Sequence, residues 1–153
     1  MNGRGIGVKY YLIKIYGIVQ GVGFRPFVSR LFSTDEYAGS VKNCGSYVEI
    51  HLCVRDENGI TDIYHLRELA PPRADIVDID IKEIQEDDYC FLLNDDRPIS
   101  GEEGKSFFIA ESPAEKPVDA PVFIPPDLAV CDDCARELYD KNNRRYLHPF
   151  INC

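Results

Sequence analysis

Two groups of residues in this sequence have the types and spacing to do chemistry. The first is Gly17-Ile18-Val19-Gln20-Gly21-Val22-Gly23-Phe24-Arg25-Pro26. Glycines there let the backbone bend and approach a ligand with no Cβ in the way. Consecutive N–H groups from Val19, Gln20, Gly21, Val22, Gly23 and Phe24 can then converge on one small anion. Arg25 adds a charged donor, whose hydrogen bond to an anion contributes about 1.5–3 kcal/mol. A helix starting at this point adds about 0.3–1 kcal/mol through its dipole. The second group is Cys131-x2-Cys134, followed after eighteen residues by Cys153. It supplies three of the four thiolates of a Cys-x2-Cys-x18-Cys-x2-Cys zinc module.

Two phosphate loops are excluded by the residues themselves. A dinucleotide fingerprint running from Gly21-x-Gly23 needs a third glycine where Pro26 stands, and a Walker loop needs Gly-Lys-Ser/Thr. Glycine spacing alone suits a plain strand-to-helix turn equally well. Arg25 at the helix start is what favours an anion site.

The run Gly-x-Val-Gln-Gly-Val-Gly-Phe-Arg, Gly17 to Arg25, resembles the signature of the acylphosphatases. The Pro26-Phe27-Val28 that follows resembles one branch of them, the amino-terminal part of the HypF carbamoyltransferases of nickel-iron hydrogenase maturation. The resemblance implies that Arg25 binds the substrate phosphate, and that Asn43, in Val41-Lys42-Asn43, orients the attacking water. An acyl phosphate carries a good leaving group, so a positioned water is enough and a strong general base is not essential. The resemblance further implies carbamoyl phosphate as substrate, no cofactor for its hydrolysis, and a hydrogenase-maturation partner for a longer protein.

The elements that must position these residues follow from periodicity. Tyr10 to Tyr16 is apolar and β-branched apart from Lys14, which suits a strand. Phe24, Phe27, Val28, Leu31 and Phe32 share one helical face, and Pro26 fits the first turn of that helix. Ser40 to Cys44 and Tyr47 to Val54 read as a hairpin around Gly45-Ser46, with Val48, Ile50, Leu52 and Val54 on its core face. Thr61 to Ala70 reads as a second helix facing Ile63, Leu66, Leu69 and Ala70 inward, stopped by Pro71-Pro72. Asp75 to Ile84 reads as a strand, the acidic Glu86 to Gly104 as a solvated loop, and Lys105 to Ala110 as a last strand. The order β-α-β-β-α-β plus an added edge strand predicts an α+β ferredoxin-like sandwich, a mixed sheet with two helices on one face. That is the acylphosphatase fold, so the periodicity and the resemblance agree.

Three segments follow from this: an acylphosphatase-like domain over 9–112, a Pro-rich linker over 113–126, and an incomplete zinc-finger-like segment over 127–153. The flanking Pro125-Pro126-Asp127, Arg144-Arg145-Tyr146 and Pro149-Phe150 resemble the first finger motif of the HypF family. Cys131, Cys134 and Cys153 are its candidate ligands. Either the chain stops within the module or His148 takes the fourth position, and the first reading is favoured. Arg144 and Arg145 read as a solvated pair. Cys44, Cys53 and Cys90 read as ordinary thiols rather than disulfides.

Composition bounds the function classes. The 153 residues are 44% hydrophobic with a net charge of −9, enough for one ordinary core and unsuited to nucleic acid or an anionic membrane. No apolar run is long enough to span a bilayer, and Met1 to Lys9 is too short and glycine-rich for a signal peptide, so a cytoplasmic location is expected. The leading expectation is acyl phosphate hydrolysis. The rivals are a stand-alone acylphosphatase with a vestigial tail and a non-catalytic anion-binding or docking module.

Overall fold

The computed structural model describes residues 7–56, 59–114 and 132–148. The chain divides into two compact units, Met1–Phe123 and Ile124–Cys153. The first contains β1 (Lys9–Ile18), α1 (Phe24–Leu31), β2 (Tyr37–Asn43), β3 (Tyr47–Val54), α2 (Ile60–Tyr64), α3 (Leu66–Leu69), β4 (Asp75–Ile84), α4 (Glu86–Asn94) and β5 (Phe107–Ile109). The strands form one sheet in the order β4-β1-β3-β2-β5. All neighbours are antiparallel except β2 and β5. This is the expected β-α-β-β-α-β order with a parallel edge strand added.

The sheet buries both of its faces, with different chemistry on each. On one face Tyr11, Ile13 and Ile15 of β1 alternate inward and pack with Val41, Val48, Ile50, Leu52 and the α1 residues Phe24 and Val28. Each such side chain contributes about 1.5–3 kcal/mol through burial. This face also receives Ile63 and Leu66, which holds α2 and α3 against it. The opposite face carries Tyr10 and Leu12, packed with Cys53, Ile84 and Tyr89.

Three sequence expectations are corrected. The acidic stretch predicted as a loop begins with helix α4. Glu86, Asp87 and Asp88 occupy its first turn, where carboxylates complement the positive end of the helix. Tyr89 anchors it by stacking on Tyr10, with ring centroids 4.9 Å apart. The helix predicted over Thr61 to Ala70 is interrupted at His65, whose φ of −85° and ψ of −2° separate α2 from α3. That turn leaves Leu69 exposed, against the inward position predicted for it. The last strand spans Phe107–Ile109, shorter than Lys105 to Ala110, and Ala110 instead bridges Pro98.

In the second unit, α5 (Asp132–Tyr139) is followed by turns that fold back along it. The Leu147 N–H donates to the Leu138 carbonyl at 2.9 Å, and Arg145 Nη1 pairs with Glu137 Oε2 at 3.0 Å. Arg145 is thus ion-paired rather than simply solvated. The predicted linker falls almost wholly outside the described residues, as do Cys131 and Cys153.

Candidate functional site

β1 delivers the chain from the buried sheet into the glycine loop, and α1 takes it away. Between them Gly21 and Gly23 both adopt left-handed backbone, at φ 72° and 77°. Gly23 is the N-cap of α1 and accepts the Phe27 N–H at 3.2 Å. An ideal Cβ on either glycine would meet nothing within 4 Å, so what requires glycine there is the turn, not crowding. Among the described residues, the N–H groups of Gln20, Gly21, Val22, Gly23 and Phe24 donate to no backbone carbonyl. Val19 and Phe24 are buried at the two ends of the loop, which fixes its entry and exit.

Arg25 occupies the second position of α1 and is half-buried. Among the described residues no carboxylate pairs with it. Its guanidinium brings a positive charge to the start of α1, next to the loop, in a chain of net charge −9.

Asn43 ends β2, opposite Val48 in register. Beyond it the hairpin turns through Gly45 at φ 78°, closed by the Cys44 N–H donating to the Tyr47 carbonyl at 2.8 Å. The hairpin and the loop meet through Gln20. Its Nε2 donates to the Gly45 carbonyl at 2.6 Å and reaches the Tyr47 carbonyl at 3.4 Å. Reading the sequence identified Gln20 as a source of a backbone amide and missed this side-chain role. A long amide standing alone in a loop of glycine and valine was the available signal. Tyr47 is held in turn against Tyr16, with centroids 5.4 Å apart.

Two polar atoms of this hairpin are buried without a hydrogen-bond partner, Asn43 Oδ1 and Ser46 Oγ. Such atoms are rare in folded proteins, because each one forfeits its hydration without return. The neighbouring thiol is not a nucleophile: burial, with the nearby Glu49 carboxylate, pushes Cys44 up to about 12, so thiolate is scarce at neutral pH.

A second polar constellation lies behind the hairpin, on the sheet face opposite the main core, and reading the sequence missed it. Asp96 accepts from Ser40 Oγ, from Lys42 Nζ at 2.6 Å, and bonds His51 Nδ1 at 2.7 Å. His51 Nε2 stands 3.0 Å from Glu49 Oε1, itself 3.5 Å from Lys42 Nζ. His51 and Asp96 are buried here, with Lys42 and Glu49 partly buried beside them. The His51 side chain is 1% exposed, and both of its ring nitrogens are engaged. That leaves it no free nitrogen with which to act as a base on a bound substrate.

In the second unit, Cys134 is buried in the first turn of α5. Among the described residues no group of three histidines, cysteines or acids is placed to hold a metal. None of the helices they form is long and apolar enough to cross a membrane.

Comparison with known proteins places the chain. A family model for acylphosphatase matches residues 11–91, and one for the HypF finger matches residues 130–153. The probable carbamoyltransferase HypF of Methanocaldococcus jannaschii is 42% identical over 96% of this chain. The chain spans 17% of that relative's length. The acylphosphatase of Staphylococcus haemolyticus is 31% identical over 50% of this chain and 85% of its own. Among solved structures, full-length HypF in its phosphate- and nucleotide-bound form superposes at a TM-score of 0.69 with 35% identity. It covers 99% of this chain and 18% of that one. An acylphosphatase from Coxiella burnetii shares the fold at a TM-score of 0.52 and 23% identity, over 71% of this chain and 99% of its own. With its glycine loop, its sheet order and a matched region covering more than half its residues, the chain belongs to the acylphosphatase family, and it carries a HypF finger segment behind that domain.

Proposed function

We propose that this chain binds an acyl phosphate and hydrolyses it to a carboxylate and inorganic phosphate. The amides of Val19 to Phe24 and the Arg25 guanidinium take the phosphoryl oxygens, and Asn43 holds the attacking water. The observation that carries the reading is the Gln20 bridge, which fastens the anion loop to the hairpin that bears Asn43. The free loop amides supply donors where phosphoryl charge must be held, and Asn43 brings a side-chain amide at the end of β2, next to the turn that Gln20 bonds. Positioning and electrostatic stabilisation suffice for so labile a bond, which fits the absence of an open histidine or thiolate among the described residues of this site.

The carbamoyltransferase relatives point to carbamoyl phosphate as the acyl phosphate. They also suggest that the activity serves a longer protein, in which carbamate released here would be passed on within hydrogenase maturation. In the second unit, soft thiolates at metal spacing suit zinc. Cys131, Cys134 and Cys153 would hold it with a fourth ligand, and the metal would cross-link that segment without entering the hydrolysis. We place the acylphosphatase domain over 9–112, the linker over 113–126 and the finger segment over 127–153.

Competitive inhibition by inorganic phosphate tests the binding half of this reading. Arg25→Ala should weaken phosphate about 10- to 100-fold, the size of a lost charge-assisted hydrogen bond. Phosphate inhibiting the variant as strongly as the parent would remove Arg25 from the site.

A further inference from the structure

The end of β2 that carries Asn43 runs past its neighbour. β5 pairs with β2 only from Gly39 to Val41, and the last bond on that side is the Ala110 N–H donating to the Val41 carbonyl at 2.9 Å. Among the described residues Lys42 and Asn43 have a strand partner on one side only, where they lie opposite Glu49 and Val48 of β3. What reaches them from elsewhere is a side chain. Lys42 Nζ bonds Asp96 Oδ1 at 2.6 Å and stands 3.5 Å from Glu49 Oε1. Resting on the hydrolase reading, we propose that Lys42 and Asp96 are positioning residues for Asn43. Their ion pair holds the overhanging end of β2 in the place from which Asn43 orients water.

Asp96 belongs to a segment that is itself fastened. The Glu111 N–H donates to the Arg97 carbonyl at 2.7 Å, the Ile99 N–H donates to the Ile109 carbonyl at 2.9 Å, and Pro98 bridges Ala110 between them. This ties the stretch after Asp96 to β5 and its continuation. From there the carboxylate crosses to Ser40 and Lys42 of β2 and to His51 of β3. The clamp thus carries the support of β5 beyond Val41 to Lys42, whose peptide bond leads directly into Asn43. Successive residues of a strand face opposite ways, so the ion pair acts on Asn43 through the backbone and touches no substrate.

An ion pair withdrawn from water is a weak source of stability, because well-packed apolar side chains of the same volume often do as well. What it adds here is direction. The Asp96 side chain is 1% exposed and that of Lys42 14%, so solvent and salt weaken their bond little.

The test follows phosphate release from carbamoyl phosphate, and its inhibition by inorganic phosphate, in the full chain. The variants are Lys42→Met, Asp96→Asn, Asn43→Ala, and each clamp variant combined with Asn43→Ala. Rates are counted per phosphate-binding site, so unfolded molecules drop out, and Asp96→Asn carries the test if Lys42→Met does not fold. Each clamp variant should lower kcat about tenfold to a hundredfold, the range for displacing a reacting group by up to about an ångström. The phosphate inhibition constant should stay within about threefold of the parent. Each double variant should match Asn43→Ala within about twofold, because a residue that acts through Asn43 then has nothing left to position. Three results overturn the assignment and leave the hydrolase reading standing: a parent-like kcat in the clamp variants, kcat and inhibition constant worsening together, or double variants slower than Asn43→Ala by the full clamp factor. Asn43→Ala as fast as the parent overturns the hydrolase reading and this assignment with it.

Discussion

Gln20 Nε2 and the Gly45 carbonyl, 25 residues apart in sequence, meet at 2.6 Å. This bond makes the glycine loop and the β2–β3 turn one assembly, although they come from different supersecondary units. Replacing Gln20 by leucine keeps the bulk and removes the donor. Stability should fall by about 1 kcal/mol, a Tm shift of about 4–8 °C for a domain of this size. Acyl phosphate kcat/KM should fall much further, about tenfold to a hundredfold, because a displacement of about an ångström at a reacting centre is enough for that. Activity unchanged in the leucine variant would mean that loop and hairpin are aligned by other contacts.

Asp96 anchors three partners from two strands, and the sign of its effect depends on pH. Burial alone would lower the His51 value, but its bonds to Asp96 and Glu49 outweigh burial and hold it above the ordinary 6.5. Its contribution to stability is therefore complete below about pH 6.5 and is lost as pH rises through the higher folded value. Burial would raise Asp96 and Glu49, yet their bonds to His51 and to Lys42 hold both below their ordinary 3.8 and 4.5. Their contribution is present above those values and fades as pH falls through the lower folded ones. Urea unfolding across pH should find the cluster contributing most between about pH 4.5 and 6.5. Asp96→Asn should cost about 3 kcal/mol in that window and flatten the alkaline fall. Identical pH profiles for parent and variant would show that the cluster does not govern stability.

Helix α4 separates the structure from the loop predicted for its sequence, and two neighbouring aromatics report on it. Tyr89 is buried against Tyr10, whereas Phe91 on the same helix is 71% exposed. Tyr89→Ala should destabilise by about 3 kcal/mol and Phe91→Ala by less than about 0.5 kcal/mol. Equal, small effects at both positions would restore the loop description.

The main core and the glycine loop were legible in the sequence because each rests on a local signal. β1 announces itself by alternation, α1 by its three- and four-residue spacing, and the turn between them by glycine. Three features escaped that reading. α4 has so acidic a first turn that its composition mimics a loop, and its apolar side is short. The break at His65 is a local backbone turn, φ −85° and ψ −2°, which periodicity does not reveal. In the His51 cluster, Ser40, Lys42, Glu49 and His51 look like the wet side of a hairpin. Ser40 and His51 are buried, and Lys42 and Glu49 partly so, around Asp96, which arrives from 56 residues beyond Ser40. The phosphate end of the candidate site is thus readable as a contiguous motif. The hairpin end needed three dimensions to reveal the Gln20 bridge.

The central claim is that Asn43 positions water for an acyl phosphate held by the glycine loop, and Asn43→Ala measures it most directly when hydrolysis and binding are followed together. Phosphate release from carbamoyl phosphate should fall at least about a hundredfold in kcat, the size expected for losing one preorganised polar group. Inhibition by inorganic phosphate should stay within about threefold of the parent, since the loop and Arg25 are untouched. Asn43→Ala releasing phosphate as fast as the parent would contradict the account and leave the loop as an anion-binding site alone.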